Sequence, residues 1–466
     1  MSEEEVHTFL ERCPEVTEMS VHACLAPKIN FFREEIGLTR SQVKWVLRKR
    51  PKVFNSDVEA DLRPKVVWLS SELGMTAFQV RRLFFSATSN LMVSLEDLKQ
   101  WVGHLKDLFA LSDRQVVKVV TGNPAILSVQ HSASLHAKED FLSGYLGLQK
   151  SQITNLVSKH PRILRLGVDN MVSKVEFLKE NGLKRAVIAK MLMSCPSLFN
   201  NNVEYNLEPK VTYFLKELFM RPSQLSKIIE AEPQLLGLSL EDTIIPRVSF
   251  LMKEVAIPHD RIRQIITAAP GLLWYSIEDN MMPKVRWFSV ELGLHKNELR
   301  KVVVNNPQVL GLSLEQNLMP KVAWFKTSLG INEKGLRSMV VKHPALLRYS
   351  LDGNINEKVN FFQNEIGIEG PSLTKILVTF PRLLSFSLPS FRERMKFLTE
   401  ELRLAREQVA NIVARAPLVL TYKVDTNMRA KVDFFVKVTT GPHTGQYFFL
   451  FLKDSFAFFF SGQILY

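Results

Sequence analysis

The sequence has few of the residues from which catalytic, metal or disulfide sites are built. Among its 466 residues it has only three cysteines, Cys13, Cys24 and Cys195. They form no CxxC pair and stand near no histidine doublet, so they predict neither a disulfide framework nor a zinc site, and they favour a reducing compartment. The motifs GxGxxG, GxxxxGK[ST], HExxH and GxSxG are also absent. The sequence therefore predicts a protein that is not an enzyme and has no cofactor or metal.

Long apolar runs are lacking as well. No segment reaches the roughly 18 apolar residues that a membrane span needs, so no membrane partner is expected. The stretch "YFFLFLKDSFAFFFSG" comes nearest, but Lys453 and Asp454 interrupt it. Its density of phenylalanine departs from the rest of the chain. We therefore expect residues 439–466 to form an atypical aromatic tail, either poorly packed or foreign to the natural fold.

In place of these features the chain repeats one sequence motif. It reads "AEPQLLGLSLEDTIIPRVSFLMKEVAI" from residue 231, "AAPGLLWYSIEDNMMPKVRWFSVELGL" from residue 268 and "NNPQVLGLSLEQNLMPKVAWFKTSLGI" from residue 305, a period of 37 residues. A fixed period of this length predicts stacked copies of one supersecondary unit. We call the first proline of the motif the repeat proline. Between Pro51 and Pro124 its place is taken by Thr88. The repeat prolines are Pro14, Pro51, Pro124, Pro161, Pro196, Pro233, Pro270, Pro307, Pro344, Pro381 and Pro417.

The repeats divide the chain into three parts. Residues 1–26 are expected to be an incomplete first repeat and residues 27–438 a continuous array, followed by the aromatic tail. The start, "MSEEEVHTFLERCPEV", is acidic and lacks the arginine and serine enrichment of an organelle transit peptide. Either the natural chain begins further upstream or the protein works without such a segment.

One unit is predicted to contain two helices and a short third turn or helix. The text "PKVAWFKTSLG" has apolar residues at helical spacing and ends at Gly330, and "INEKGLRSMVVKHP" follows as the second helix. Hydroxyl residues three positions before a glutamine, such as Thr39 before Gln42, Thr76 before Gln79 and Ser112 before Gln115, predict capping boxes at second-helix starts. The first helix starts either at Ser313, with Pro320 inside it, or in the turn that contains Pro320, and we favour the second alternative. The fold class is thus an all-α superhelical solenoid of about a dozen repeats.

An aromatic residue occurs at one position of the first helix in most units. A stripe of this kind beside valine and leucine is far more often core packing than a platform for stacking bases. We therefore assign to the core Phe31, Trp68, Phe177, Phe214, Phe250, Trp287, Trp324, Phe361, Phe397 and Phe434.

The formal net charge is +13, which favours a polyanionic partner once the positions of the charges are considered. Six or seven residues before most repeat prolines, the second helix carries lysine or arginine without any aspartate or glutamate. A solvated face should mix the two signs, so we favour a nucleic-acid-binding track over that alternative. The helices that end at Pro161 and Pro417 lack these cations. The candidate binding residues are Lys44, Arg81, Arg82, Lys118, Lys190, Lys227, Arg263, Arg300, Lys301, Arg337 and Lys375.

A second basic position follows the inner proline of the unit. A cation at a helix start opposes the helix dipole, and an acid six residues earlier is a candidate partner in many units. For this position we favour a structural ion pair over a phosphate contact. The cations are Lys28, Lys65, Lys138, Lys174, Lys210, Arg247, Lys284, Lys321, Lys358, Arg394 and Lys431, and the acids are Glu59, Glu204, Glu241, Glu278, Glu315, Asp352 and Asp425.

The unit, written as "PxLLxxSLExNLxPKVxFFxxxLGLxxxxLxKVVxxxP", resembles the repeat of the mitochondrial transcription termination factor (mTERF) family from about residue 9 to residue 437. The resemblance implies a left-handed superhelix of three-helix units. It also implies a basic groove that binds nucleic acid, duplex DNA or structured RNA, in mitochondria or chloroplasts. Family members act in organelle transcription termination, gene expression, RNA processing or ribosome assembly, so the transcription or ribosome machinery is a further expected partner of a monomeric protein.

Two other repeat architectures compete with this interpretation. HEAT-like scaffolds have a similar period and bind proteins, but they give no reason for a position that is only positive. Pentatricopeptide arrays read single-stranded RNA, but they give no reason for two prolines in each unit.

Overall fold

A computed structural model describes residues 3–86, 93–127 and 132–439. Regular structure in these ranges is helical, with no strand, which confirms the all-α fold class. The chain divides into two compact units, residues 1–238 and residues 239–466. Thr88 and all but the first residue of the aromatic tail lie outside the described ranges. Within them no helix combines the length and apolar character that crossing a membrane requires.

The α-helices follow the predicted alternation of first and second helices. Those of the first unit are α1 Glu3–Arg12, α2 Ala26–Asn30, α3 Arg40–Lys49, α4 Arg63–Ser71, α5 Ala77–Ser86, α6 Leu95–Phe109, α7 Asp113–Gly122, α8 Ser132–Asp140, α9 Lys150–Lys159, α10 Val168–Glu180, α11 Arg185–Ser194, α12 Glu208–Thr212 and α13 Pro222–Ala231. Those of the second unit are α14 Ile245–Lys253, α15 His259–Ala268, α16 Met282–Val290, α17 Lys296–Asn305, α18 Met319–Ser328, α19 Glu333–Lys342, α20 Glu357–Asn360, α21 Gly370–Thr379, α22 Leu388–Lys396, α23 Arg406–Arg415 and α24 Ala430–Thr439.

The third element of the unit is a short 3-10 helix that begins at the repeat proline. Proline suits this first position because its φ is preset and its missing N–H would have no partner there. The residue before the proline leaves the helical region, as Asn306 does with φ −149° and ψ 76°, and this ends the second helix. The 3-10 helices are Pro14–Glu18, Pro51–Asn55, Pro124–Leu127, Pro161–Arg165, Pro196–Asn200, Pro233–Gly237, Pro270–Leu273, Pro307–Gly311, Pro344–Arg348, Pro381–Ser385 and Pro417–Thr421.

The favoured start of the first helix is wrong. In the repeat that contains Pro320, a π-helical turn at Leu314–Leu318 precedes α18 without a break. The hydroxyl of Ser313 accepts the N–H of Gln316 at 3.1 Å, so Ser313 is the N-cap. Beside the proline, the backbone hydrogen bonds of the helix change from the i→i+5 pattern to the i→i+4 pattern. A residue without an N–H lowers the stability of the helix little at this change.

Proline is not the cause of this turn. After the equivalent π turns Leu351–Asn356 and Val424–Arg429, Glu357 and Ala430 stand at the position of Pro320. Helix α6, by contrast, is a continuous α-helix of 15 residues. The π turn thus creates a position that tolerates proline.

The predicted caps of the second helices are present in two cases and partly present in the third. Thr39 and Thr76 exchange both hydrogen bonds with Gln42 and Gln79. At Ser112 the glutamine side chain accepts the backbone N–H at 2.9 Å. The same bond recurs at N-caps without a hydroxyl, from the backbone N–H of Gln149, Arg221, His295 and Ala405. In these seven helices the shared part of the cap is therefore the glutamine or glutamate at the third helical position, whereas α19 is capped by the side chain of Asn332.

The aromatic position lies in the core in most repeats. Trp324 and Phe177 are only half-buried, however, and Phe434 is 59% exposed, so the core assignment is wrong for Phe434. Phe434 belongs to α24, and no described repeat follows that helix to cover it. The next residue along the helix is the deeper one, since Phe325 is 1% exposed and packs edge-to-face on Trp324 at 5.3 Å.

In the first helices up to α22, the residue that ends the helix has left-handed backbone. Gly330, predicted for this role, has φ 60°, and Gly293 holds the same place one repeat earlier with φ 60°. Four repeats place a residue with a side chain there, namely Ala110, Phe219, Ala256 and Arg403, with φ between 50° and 59°. A Cβ atom in this region costs about 1 to 2 kcal/mol, so these four repeats carry local strain.

We predict that Gly293→Ala lowers the free energy of unfolding and that Ala256→Gly raises it, each by about 1 kcal/mol or less, because glycine also loses more backbone entropy on folding. A Cβ at Gly293 would meet no atom within 4 Å, so only the backbone angle is tested. Urea unfolding of the two variants measures the effect. Equal stability of Gly293→Ala and the parent protein would contradict the left-handed assignment.

Candidate nucleic-acid interface

The structure places every predicted binding residue on a second helix, namely α3, α5, α7, α11, α13, α15, α17, α19 or α21. Two sets can be distinguished. The residues six positions before the repeat proline, which we call the outer cations, are all exposed; they are Arg82 (before the Thr88 position), Lys118, Lys190, Lys227, Lys301 and Lys375. The residues seven positions before it, which we call the inner cations, are Lys44, Arg81, Arg263, Arg300 and Arg337, of which Arg81, Arg300 and Arg337 are half-buried.

Lys44, Arg81 and Arg337 among the inner cations contact the preceding repeat. Their direction differs from that of the outer position because neighbouring residues on a helix point about 100° apart. Arg337 pairs with Glu298 at 2.8 Å, and Lys44 pairs with Glu5 at 2.8 Å. Both acids lie nine residues before the repeat proline of the preceding repeat. Arg81 approaches the carbonyl oxygen of Gly37 at 3.4 Å. The charges of Lys44 and Arg337 are thus partly neutralised. These ion pairs join two repeats, so inspection of one helix could not reveal them.

The outer cations have a different environment. Within the described ranges none of them lies within ion-pair distance of a carboxylate. Arg263, one of the inner cations, is also exposed and also lies beyond ion-pair distance of any described carboxylate. Lys190 donates to the carbonyl oxygen of Glu230 at 3.0 Å, near the end of α13. The outer cations and Arg263 are therefore the predicted residues that the fold leaves most open to an external anion.

In the second unit, the second helices and the 3-10 helices make the close backbone contacts between consecutive repeats. Helix α17 packs on α19, α19 packs on α21, and the 3-10 helices contact one another in the same order. Consecutive first helices make fewer close approaches. The second helices and the 3-10 helices therefore form the most closely packed side of the stack in this unit.

The other basic position is buried. Lys284 is 3% exposed and Lys321 is 4% exposed, so neither side chain can contact a phosphate. The Nζ of Lys284 donates to Asn280 Oδ1 at 2.6 Å and to the carbonyl oxygen of Leu310 at 2.7 Å. Leu310 belongs to the 3-10 helix of the next repeat. The same pair of acceptors, an asparagine one turn earlier and a carbonyl 26 residues later, serves Lys210, Lys321 and Lys358.

The acid six residues earlier is not the partner of these four lysines, so the predicted ion pair is wrong for them. Glu59 pairs with Arg63 and Asp425 with Arg429, each one helical turn later on the exposed side of the helix. Residues six apart on a helix differ by about 240° in direction and do not face each other, whereas residues four apart do. The structural role was predicted correctly, but its chemistry is a hydrogen bond between consecutive repeats.

A family model, mTERF, matches residues 1–256 and again residues 178–444. The two matches together span nearly the whole chain. The chain belongs to the mTERF family. Comparison with curated proteins gives no match. Family membership supports a nucleic-acid-binding role in an organelle in general terms.

Exceptions within this mTERF array show that the buried contact matters more than the lysine itself. In α6 the indole Nε1 of Trp101 donates to the carbonyl oxygen of Ile126 at 2.6 Å. Arg247 and Arg394 donate to the carbonyl oxygens of Tyr275 and Tyr422, 28 residues later rather than 26. Each of these repeat interfaces thus supplies a donor to a carbonyl oxygen in the next 3-10 helix or just after it.

Burial changes the acidity of these amino groups in the mTERF repeats. It lowers the pKa of Lys321 to about 8, and it lowers the pKa of Lys210, Lys284 and Lys358 as well. The unfolded chain then binds more protons than the folded chain between about pH 8 and the ordinary lysine value near 10.4. Stability from these groups should rise with pH in that window.

We predict that Lys321→Met lowers the free energy of unfolding by about 1 to 3 kcal/mol at pH 7, because it leaves the oxygens of Asn317 and Leu347 unpaired. The gap to the parent protein should widen between pH 8 and 10, by at most about 1.4 kcal/mol per pH unit. Denaturant unfolding at several pH values measures both effects. The same substitution at exposed Lys301 is the control, and a gap that narrows with rising pH would contradict the burial argument.

Proposed function

We propose that this mTERF protein binds duplex DNA or structured RNA in a mitochondrion or chloroplast through the outer cations and Arg263. Binding, rather than catalysis, would be its contribution to organelle transcription termination or gene expression. The observation that supports this most is the exposure of all six outer cations, in both units, without a carboxylate partner in the described part of the chain. Clustered like charge costs free energy unless a polyanion lies against it.

The spacing of the cations suits a phosphate backbone. Packed helices lie about 8 to 10 Å apart, which corresponds to roughly three base pairs at about 3.4 Å along one strand. Outer cations in consecutive repeats, such as Lys190 and Lys227, would therefore meet a backbone at intervals of roughly three base pairs. Contacts of this kind position a protein on nucleic acid without reading its sequence.

The buried lysines sharpen the proposal, because they remove most cations at one of the two basic positions of the repeat. Lys210, Lys284, Lys321 and Lys358 are occupied between repeats. Charge that is engaged in the core does not attract a ligand by direct contact. The interface therefore depends on few residues, and substitution of three of them is a strong test.

We predict that the triple variant Arg263→Gln, Lys301→Gln, Lys375→Gln binds duplex DNA more weakly than the parent protein. The plot of log affinity against log salt should become shallower by about 2.7, since each neutralised phosphate contributes about 0.9. Fluorescence anisotropy over a range of salt concentrations measures this slope, and structured RNA is tested in the same way.

A matched control removes three charges elsewhere. Lys253 and Arg286 lie exposed on first helices, and Lys423 lies exposed just before one. Their triple glutamine variant has the same net charge and should keep the parent slope. Equal losses in both variants would mean that only net charge matters, and no loss in either would favour a protein-binding scaffold.

A further inference from the structure

The second unit contains a cavity of about 400 Å³ beside the C-terminal ends of α19 and α21 and the 3-10 helices Pro381–Ser385 and Pro417–Thr421. None of the predicted binding residues lines it. Its size falls within the range of pockets that hold small organic ligands. We call it the 342/382 pocket, after the two cations at its rim, Lys342 and Arg382.

One side of this pocket is apolar and aromatic. Phe380, Phe386 and Leu418 contribute to it. The ring of Phe386 stacks on the fully buried Phe391 at 6.2 Å between centroids, which fixes its orientation. Leu418 is 37% exposed, an unusual exposure for a large apolar residue beside a cavity. A planar ring that entered here would cover these side chains.

The other side is positive. Lys342 and Arg382 are exposed, and neither has a carboxylate within ion-pair distance in the described part of the second unit. The Nζ of Lys342 makes only long contacts, 3.4 Å to the carbonyl oxygen of Val378 and 3.5 Å to that of Thr379. Burial, and after it the charge of Arg382, lowers the pKa of the neighbouring His343. Both cations are therefore available to an anion.

We propose that the 342/382 pocket binds a nucleoside phosphate, with its base against Phe380, Phe386 and Leu418 and its phosphate between Lys342 and Arg382. An inorganic phosphate would use the cations but leave the apolar wall uncovered, and an apolar ligand would leave the cations unpaired. The ligand could be a free nucleotide or an unpaired nucleotide of a nucleic-acid strand. Free-nucleotide binding does not depend on the function proposed above.

The first unit offers a matched control at the same repeat positions. Arg12 corresponds to Lys342 and Lys52 to Arg382, and both are exposed. The Nη1 of Arg12 lies 3.4 Å from the carbonyl oxygen of Arg48, just as Lys342 approaches Val378. Arg50 and Ser56 stand where the pocket has Phe380 and Phe386. This site therefore has the two cations without the aromatic wall.

The test is calorimetric titration of the full chain with adenosine monophosphate and, separately, with inorganic phosphate. The parent protein should bind the nucleotide at least about ten-fold more tightly than phosphate, since stacking of a base on aromatic side chains contributes about 1 to 3 kcal/mol. The variant Lys342→Gln, Arg382→Gln should lose about ten-fold or more in nucleotide affinity. The control Arg12→Gln, Lys52→Gln should lose none.

A second readout concerns His343, which faces Arg382 and the hydroxyl of Tyr349 at 3.0 Å. A bound phosphate would offset the charge of Arg382, so the nucleotide should raise the pKa of His343 in an NMR titration. Phe386→Leu, which keeps an apolar side chain but removes the ring, should weaken the nucleotide and leave phosphate unchanged. A general loss of folding would weaken both.

The source of the nucleotide is decided by oligonucleotides. Displacement of adenosine monophosphate by a duplex with an unpaired terminal nucleotide, but not by a blunt duplex, would assign the pocket to a strand. Displacement by neither duplex would assign it to a free nucleotide. Absence of nucleotide binding in the parent protein, or equal losses in the pocket and control variants, would overturn the proposal. The proposed function would still stand without nucleotide binding in this pocket, provided that substitution of the outer cations makes the salt dependence of nucleic-acid binding shallower.

Discussion

A lysine amino group that is buried between two repeats needs oxygen acceptors at fixed places, and the array provides them. Removal of an ammonium group from water costs several kcal/mol unless hydrogen bonds replace its hydration. At Lys210, Lys284 and Lys321 one acceptor belongs to the same helix and the other to the 3-10 helix of the next repeat. The contact is satisfied only when two repeats stack in one register. Leucines alone would tolerate sliding, because apolar contact has no direction.

Other features of the repeat follow from this contact. The 3-10 helix starts at a proline and is short, so the carbonyls at its end have no partner within the helix. One of these carbonyls is therefore available to the lysine. The proline also stops the second helix, so the 3-10 helix begins at the same place in each unit. In the continuous helix α6 the donor is the indole of Trp101 instead of a lysine. The donor type varies while the bond between repeats remains.

Much of the fold could be predicted from the sequence because its causes are local or periodic. The 37-residue period, the glycine after the first helix and the glutamine of the second-helix cap each act within one repeat. The start of the first helix could not be predicted, since proline usually marks a helix beginning and nothing in one repeat reveals the π turn before Pro320. The partners of Lys284 and Lys44 were also out of reach, because Leu310 and Glu5 lie in neighbouring repeats. Interactions between repeats depend on stacking geometry, which the period predicts only in outline.

The same constraint separates the cations that build the array from those that can serve a ligand. Lys321 and Lys301 both belong to recurring basic positions, and in the sequence only the helix-dipole argument favours a structural role for Lys321. Burial decides between them, since Lys321 is 4% exposed while Lys301 projects to solvent. A buried donor can vary only among groups that still reach the carbonyl, such as lysine, arginine or tryptophan. An exposed cation is free of that restriction. The outer cations are therefore the residues on which the proposed contact with a polyanion depends.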